Sequence, residues 1–227
     1  MVAALLNGHL SADNPSQRHW ILLNVVGYYP TAQHEHAKKY GTYDGSSLRA
    51  IANLFATRGI PDADRVMLLN GLTCYQKMDF DPSTLEYVGN TLLSVAKDER
   101  DDSRCRVSAA RSLLLLVRAL ADDIVYHDPG YQVRFAGRQK APIVRAALQA
   151  GEVSLSDGAC EQMRLLGRIS QAAVSTVKAW ADDEASDPML KNFATNEWPN
   201  LESLFDETAF PLAAVMAPAT RPVAPSR

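Results

Sequence analysis

Apolar residues recur along this chain at the spacing of helices. Val107, Ala110, Leu114, Val117, Ala121 and Ile124 step by three and four, which draws one stripe down a helix starting near Asp101 or Asp102. A second stripe passes through Ala159, Met163, Leu166, Ile169, Ala173, Val177 and Trp180, and SLSD at Ser154 to Asp157 suits a capping box at its start. Gly59 can close a helix in the left-handed conformation, with Pro61 as stop and Asp62 as the next cap. DPS at Asp81 to Ser83 sets a cap residue before a proline at the first helical position, and Gly151 ends another helix. Only YQVRF, Tyr131 to Phe135, alternates like a strand; without a partner it is expected as an extended loop. The fold class that follows is all-α.

Two of these helical segments share residues as well as pattern. WILLNVVGYY at 20–29 and VMLLNGLTCY at 66–75 both carry Leu-Leu-Asn and end on Tyr, 46 residues apart. LRAIANLFATR follows the first and LEYVGNTLLSV the second. Aligned without gaps, they match Leu48 with Leu85, Ile51 with Val88, Ala52 with Gly89, Asn53 with Asn90 and Phe55 with Leu92. A third pair would join the helix from Asp102 to Ile124 with the one after Pro142. A fourth would join the helix from Ser156 to about Trp180 with the apolar segment from Trp198 to Met216.

A series of antiparallel helix pairs with periods near 40 to 47 residues resembles the HEAT and armadillo class of α-solenoids. That resemblance implies stacked helical hairpins forming a short solenoid, here one repeat domain over residues 1–216. VMLLNGLTCYQKMDFDPSTLEYVGNTLL also resembles one unit of the octotricopeptide type, through Leu69, Leu72, Tyr75, Pro82 and Leu85. Octotricopeptide repeats occur in organellar RNA-processing proteins, so the resemblance implies an RNA partner. It covers about one unit, and no RAP domain accompanies it.

Composition narrows the classes. Charged residues make up 22% of the chain and hydrophobic residues 47%, which excludes global disorder. The formal charge of −3 argues against an overall cationic nucleic-acid binder and leaves only a local patch. Cys74, Cys105 and Cys160 are odd in number and sit in apolar-periodic segments, so buried reduced thiols and a reducing compartment are expected, cytoplasm or mitochondrial matrix. The longest strongly apolar run, Leu113 to Val117, is far short of the roughly 20 residues of a membrane span. The first ten residues lack the basic start of a secretory leader and the arginine-rich character of an organelle presequence.

No P-loop, GxGxxG, GxSxG or CxxC pair is present, and no cofactor is expected. HEH at His34 to His36 could share a metal on an extended segment with ligands from elsewhere, but it lacks the four-residue spacing of a helical metal motif and reads as a solvated loop. GTYDGSS lacks the strand-to-helix context of a phosphate cradle. The adjacent His127 and Asp128 resemble the central signature of HD-type metal-dependent phosphohydrolases, which are all-helical. The resemblance implies that His34 or His36 and Asp182 or Asp183 complete a site around ions ~4 Å apart. By residue chemistry alone, HDPG is a turn with His127 at a helix carboxyl end, where a cation is favoured. DDEASD at Asp182 to Asp187 is similar to an isoprenoid diphosphate-binding motif but differently spaced, and reads as a solvated acidic helix end.

One stretch departs from the acidic background. YQVRFAGRQKAPIVR holds Arg134, Arg138, Lys140 and Arg145 with Tyr131 and Phe135 and no acid, a composition suited to phosphates, stacked bases or an acidic protein groove. These six residues are the candidate binding site; no catalytic or metal residue is assigned. The segment from Trp198 through Leu201, Leu204, Phe205, Phe210 and Leu212 is expected to seal the last repeat or insert into another protein. APATRPVAPSR, Ala217 to Arg227, is expected to be disordered or a docking arm. The leading reading is a non-enzymatic adaptor or structural subunit that binds other protein subunits. An RNA-associated helical-repeat protein and an HD-type hydrolase are the alternatives.

Overall fold

The computed structural model describes residues 14–23, 45–72, 81–135 and 137–206, and every regular element among them is helical. In chain order they are α1 (Pro15–Leu23), α2 (Ser46–Ala56), α3 (Asp62–Leu72), α4 (Pro82–Lys97), α5 (Ser103–Tyr126), α6 (Pro129–Arg134), α7 (Ala141–Gln149), α8 (Asp157–Asp182), α9 (Pro188–Asn192) and α10 (Trp198–Asp206). A single wide π turn, Phe193–Glu197, joins the last two.

Helix starts follow the cap chemistry closely. Asp81 accepts from the backbone N–H groups of Ser83 and Thr84 with Pro82 at the first position, and Asp102 accepts from that of Arg104. For α8 the cap is Ser156 rather than Ser154, accepting from the N–H of Ala159. Gly59 and Gly151 take positive φ just beyond α2 and α7, as their places at helix ends require.

α2 packs on α3 and on α4; α5 packs on α3, α4, α8 and α9; α8 packs on α4. The direction of neighbours can be read from side-chain contacts that advance together. The Arg49 Nη2 atom donates to Ser83 Oγ at 2.7 Å, and the Tyr87 hydroxyl to Asn53 Oδ1 at 2.7 Å. Arg58 pairs with Asp98 at 2.5 Å, so α2 and α4 run side by side in one direction. α8 extends the row in the same sense: Gly89 meets Ile169, and further along Lys97 and Thr176 line one groove. Gly89 is needed there, because a Cβ would lie 2.6 Å from Ile169 Cδ1.

The shared core takes Leu48, Ile51 and Phe55 from α2, Leu85, Val88 and Leu92 from α4, Leu113, Leu114 and Val117 from α5, and Leu166, Ala173 and Val177 from α8. Each fully buried aliphatic or aromatic side chain of this kind contributes about 1.5–3 kcal/mol. One ion pair is embedded beside it. Arg65, 2% exposed, donates through Nε to the Phe55 carbonyl at 2.6 Å and clamps both oxygens of Asp101, at 2.6 and 2.7 Å. It thereby ties the end of α2 to the turn before α5.

Three expectations change. The first two predicted pairs, α1 with α2 and α3 with α4, are not the main contacts, since α2 packs on α3 and α4 on α5. The pairing of α5 with α7 is replaced by contacts of α5 with α4 and α8, while Val144 and Ala147 of α7 join a second, small cluster with Val125, Tyr126, Tyr131 and Val153. YQVRF is not an extended loop: its first four residues finish α6, started by the Asp128 cap and Pro129. In a helix Tyr131 and Phe135 share a face and Val133 points away, whereas strand alternation would group all three. Leu72 and Leu85 are buried, whereas Cys74, Tyr75, the His34 to His36 motif and residues 207–227 lie outside the described residues.

Candidate interaction surface

The segment between α5 and α8 forms an excursion closed on itself. Asp128, 1% exposed, accepts from the Gly130 N–H at 2.9 Å through one oxygen. Through the other it accepts from the Ser156 N–H at 3.0 Å and the Ser156 hydroxyl at 2.6 Å. One carboxylate thus caps α6 and joins the exit of α5 to the start of α8, with charge-assisted hydrogen bonds. Gly130 permits the approach, since a Cβ there would sit 1.9 Å from the Ser154 carbonyl oxygen.

Inside the excursion the aromatic residues are structural. The buried Tyr131 donates its hydroxyl to the Gly137 carbonyl at 2.9 Å and accepts from the Gln139 N–H at 2.9 Å, fixing the loop before α7. Its ring meets Tyr126 edge-on, with centroids 5.1 Å apart, and lies tilted against Phe135. The Tyr126 hydroxyl donates to the Gln139 carbonyl at 3.0 Å, and burial pushes it above its ordinary pKa. Tyr131 therefore serves the patch through the loop it holds; its ring faces inward.

The cations lie outside. Arg134 pairs with Glu152 at 3.0 Å and covers the Phe135 ring. Arg138 stacks 4.3 Å over Tyr126 and approaches Asp122 at 3.7 Å. Lys140 is exposed at the start of α7 and Arg145 is half-buried on it. The lobe also displays two apolar side chains that the sequence reading passed over, Val133 at 90% exposure and Ile143 at 48%. Their signal was present in the phase: two residues from Tyr131 and one from Val144, each falls off the buried face once the helical period is applied.

The other chemistry-bearing residues stand apart. His127 caps the end of α5, its Nδ1 within 2.9 Å of both the carbonyl and a carboxylate oxygen of Asp123. Asp182 and Asp183 sit at the far end of α8, 26 residues or ~39 Å from the Ser156 that Asp128 holds. The HD-type convergence is therefore not formed by Asp128 with these aspartates, and the described residues contain no cluster of three or more potential metal ligands. Asp183 and Asp187 act instead as turn and helix caps, accepting from the N–H groups of Ala185 at 2.9 Å and Met189 at 2.8 Å. Cys105 is buried and Cys160 half-buried, both unpaired to sulfur. Among the described residues no helix is long and apolar enough to cross a membrane. Comparisons of the chain with protein-family models, curated proteins and solved structures find no match.

Proposed function

We propose that this chain is a non-enzymatic helical-repeat adaptor or structural subunit, a short stack of antiparallel hairpins that docks onto other protein subunits through the lobe between α5 and α8. The observation that carries the docking is Val133: a large apolar side chain 90% exposed on a lobe anchored by a buried carboxylate, with Arg134, Arg138 and Lys140 around the same short segment. A single exposed apolar side chain is ordinary on a protein surface; what favours docking is that Val133 shares one short segment with three cations, a pairing that suits an acidic partner groove. The stack is supported by the equivalent positions of the two copies: Leu48 and Leu85, Ile51 and Val88, Phe55 and Leu92 are all buried, while Asn53 and Asn90 are both exposed.

The test is sedimentation of the tagged chain at native expression level. Val133→Asp with Ile143→Asp is expected to move it from a large complex to the monomer fraction while leaving its melting curve unchanged. A wild-type chain that sediments as a monomer overturns the reading. The RNA-associated alternative predicts salt-dependent binding of single-stranded RNA, lost in Arg134→Glu, Arg138→Glu, Lys140→Glu.

A further inference from the structure

A groove of about 670 Å³ lies away from that lobe, between α4, α5, α8 and the start of α9. Its floor is made of small side chains of α8, Ala172, Ser175 and Ala179, so a flat chain can lie close. Arg106 forms part of one wall. Its Nε donates to the Ala96 carbonyl at 3.1 Å and its guanidinium stacks 5.6 Å over Trp180, with no other hydrogen bond from this side chain among the described residues. Asp183 and Asp187 edge the other side, within a run, Asp182 to Asp187, that holds four acids and no base.

The groove therefore offers donors from Lys97 and Arg106 and carboxylates from Glu99, Asp183 and Asp187, the acids in excess. A matching ligand carries cations and an excess of backbone acceptors. Residues 217–227 of this chain, APATRPVAPSR, have two arginines, no acid and three prolines. Proline has no N–H, and the extended left-handed conformation that such segments favour leaves its carbonyls without internal partners. Arg221 suits Asp183 and Asp187, and the free carbonyls suit Arg106.

The reach agrees. From Pro188, beside the groove, to Asp206, the last described residue, the chain advances 19 residues in near-continuous helical turns, ~28 Å. The following ten residues, 207–216, span up to ~33 Å when extended, enough to return the arm to the groove.

We infer that Ala217 to Arg227 docks in this groove as an extended arm of the same chain, an inference independent of the adaptor reading. The probe is a fluorescent peptide of residues 217–227, titrated by anisotropy at low salt into three full-length proteins: wild type, Arg221→Glu with Arg227→Glu, and that double variant carrying Ser175→Trp. A tethered arm competes at an effective concentration on the order of millimolar, so releasing it is expected to tighten peptide binding about tenfold. Ser175 is exposed on the groove floor, so Ser175→Trp fills the space without disturbing the core and is expected to abolish binding at an unchanged melting temperature. Equal affinity of wild type and double variant, or no binding by either, overturns the inference. A wild-type chain that self-associates with rising concentration, and stops doing so in the double variant, assigns the arm to a second copy and overturns the intrachain form.

Discussion

Replacing Arg65 by Met keeps the length of the side chain and deletes its charge and donors. Asp101, whose side chain is 4% exposed, then loses its cation, and the Phe55 carbonyl loses a 2.6 Å hydrogen bond. Asp62, a second carboxylate 3.4 Å from Arg65, is half open to water and helps little. Removing one partner of a buried ion pair costs about 3–5 kcal/mol, because the other charge stays desolvated. Domains are stable by about 5–15 kcal/mol in total, so the variant should unfold at markedly lower urea. The assay is a double-mutant cycle by urea unfolding with Arg65→Met, Asp101→Leu and both together. Each single change leaves a buried charge, whereas the pair leaves none, and the double variant is expected to recover most of the loss. A cost under about 1 kcal/mol for Arg65→Met, or two costs that simply add, would refute the reasoning.

The same contact sets an acid response. Hydrogen bonds from Arg65 hold the Asp101 carboxyl below the usual aspartate range, against the upward push of burial. Its pKa is lower folded than unfolded, so its stabilisation is complete above the unfolded value of about 4 and disappears as pH falls through the folded one. For Asp81 burial pushes upward, and the hydrogen bonds from Thr84 and Ser83 together outweigh it, giving the same sign. Without Arg65 only the upward push of burial remains, so protonation relieves the unpaired carboxyl: the cost of Arg65→Met measured by urea unfolding should shrink as pH falls below about 4, and a cost that stays the same from neutral to acid pH counts against the assignment.

Three further outcomes are expected. Gly130→Ala forces a Cβ against the Ser154 carbonyl and should cost about 3 kcal/mol, with loss of near-ultraviolet tyrosine signal from the lobe; a wild-type spectrum would contradict the close approach. Gly89→Ala brings a Cβ to 2.6 Å from Ile169 Cδ1, with Cγ2 and Cγ1 of the same buried side chain at 3.2 and 3.3 Å, so its cost of about 1–3 kcal/mol should shrink in part when Ile169→Val removes Cδ1, and persistence of the full cost would place the clash elsewhere. Burial pushes the Cys105 thiol up to about 12, so alkylation followed by mass spectrometry at pH 8 should label Cys160 first and Cys105 only on global unfolding; equal rates would show that Cys105 is accessible.

The helices were readable where burial and period agree. The stripes from Val107 to Ile124 and from Ala159 to Trp180 lie on the buried faces of α5 and α8, since a long helix that feeds one core must repeat its apolar residues every three or four positions. Caps were legible for the same local reason. Neighbour relations were not, because α5 and α7 carry patterns as compatible as α5 and α8, and only packing of the whole core chooses. YQVRF misled because five residues fit both periods; Asp128 and Pro129, which start a helix, were the deciding signal. The basic composition of 131–145 was plain, but that Tyr131 is internal and Val133 external depends on phase.

That lobe is surplus to the architecture, which gives a last test. Turns of five residues, 57–61 and 98–102, suffice to pass from α2 to α3 and from α4 to α5. Between α5 and α8 the chain instead makes an excursion whose two ends already touch, since Asp128 and Ser156 are hydrogen-bonded at 2.6 Å. Replacing residues 129–155 by a short glycine-serine linker therefore closes a gap that is already small, and shorter loops cost less closure entropy. It uncovers Val125 and Tyr126 and removes Leu155, which packs against both clusters, at about 2 kcal/mol for each side chain returned to water or lost. The shortened chain should still unfold cooperatively, with α5 and α8 packed as before, yet fail to enter the native complex. If it is molten, the lobe belongs to the core. If it is folded and still assembles, docking resides on another face.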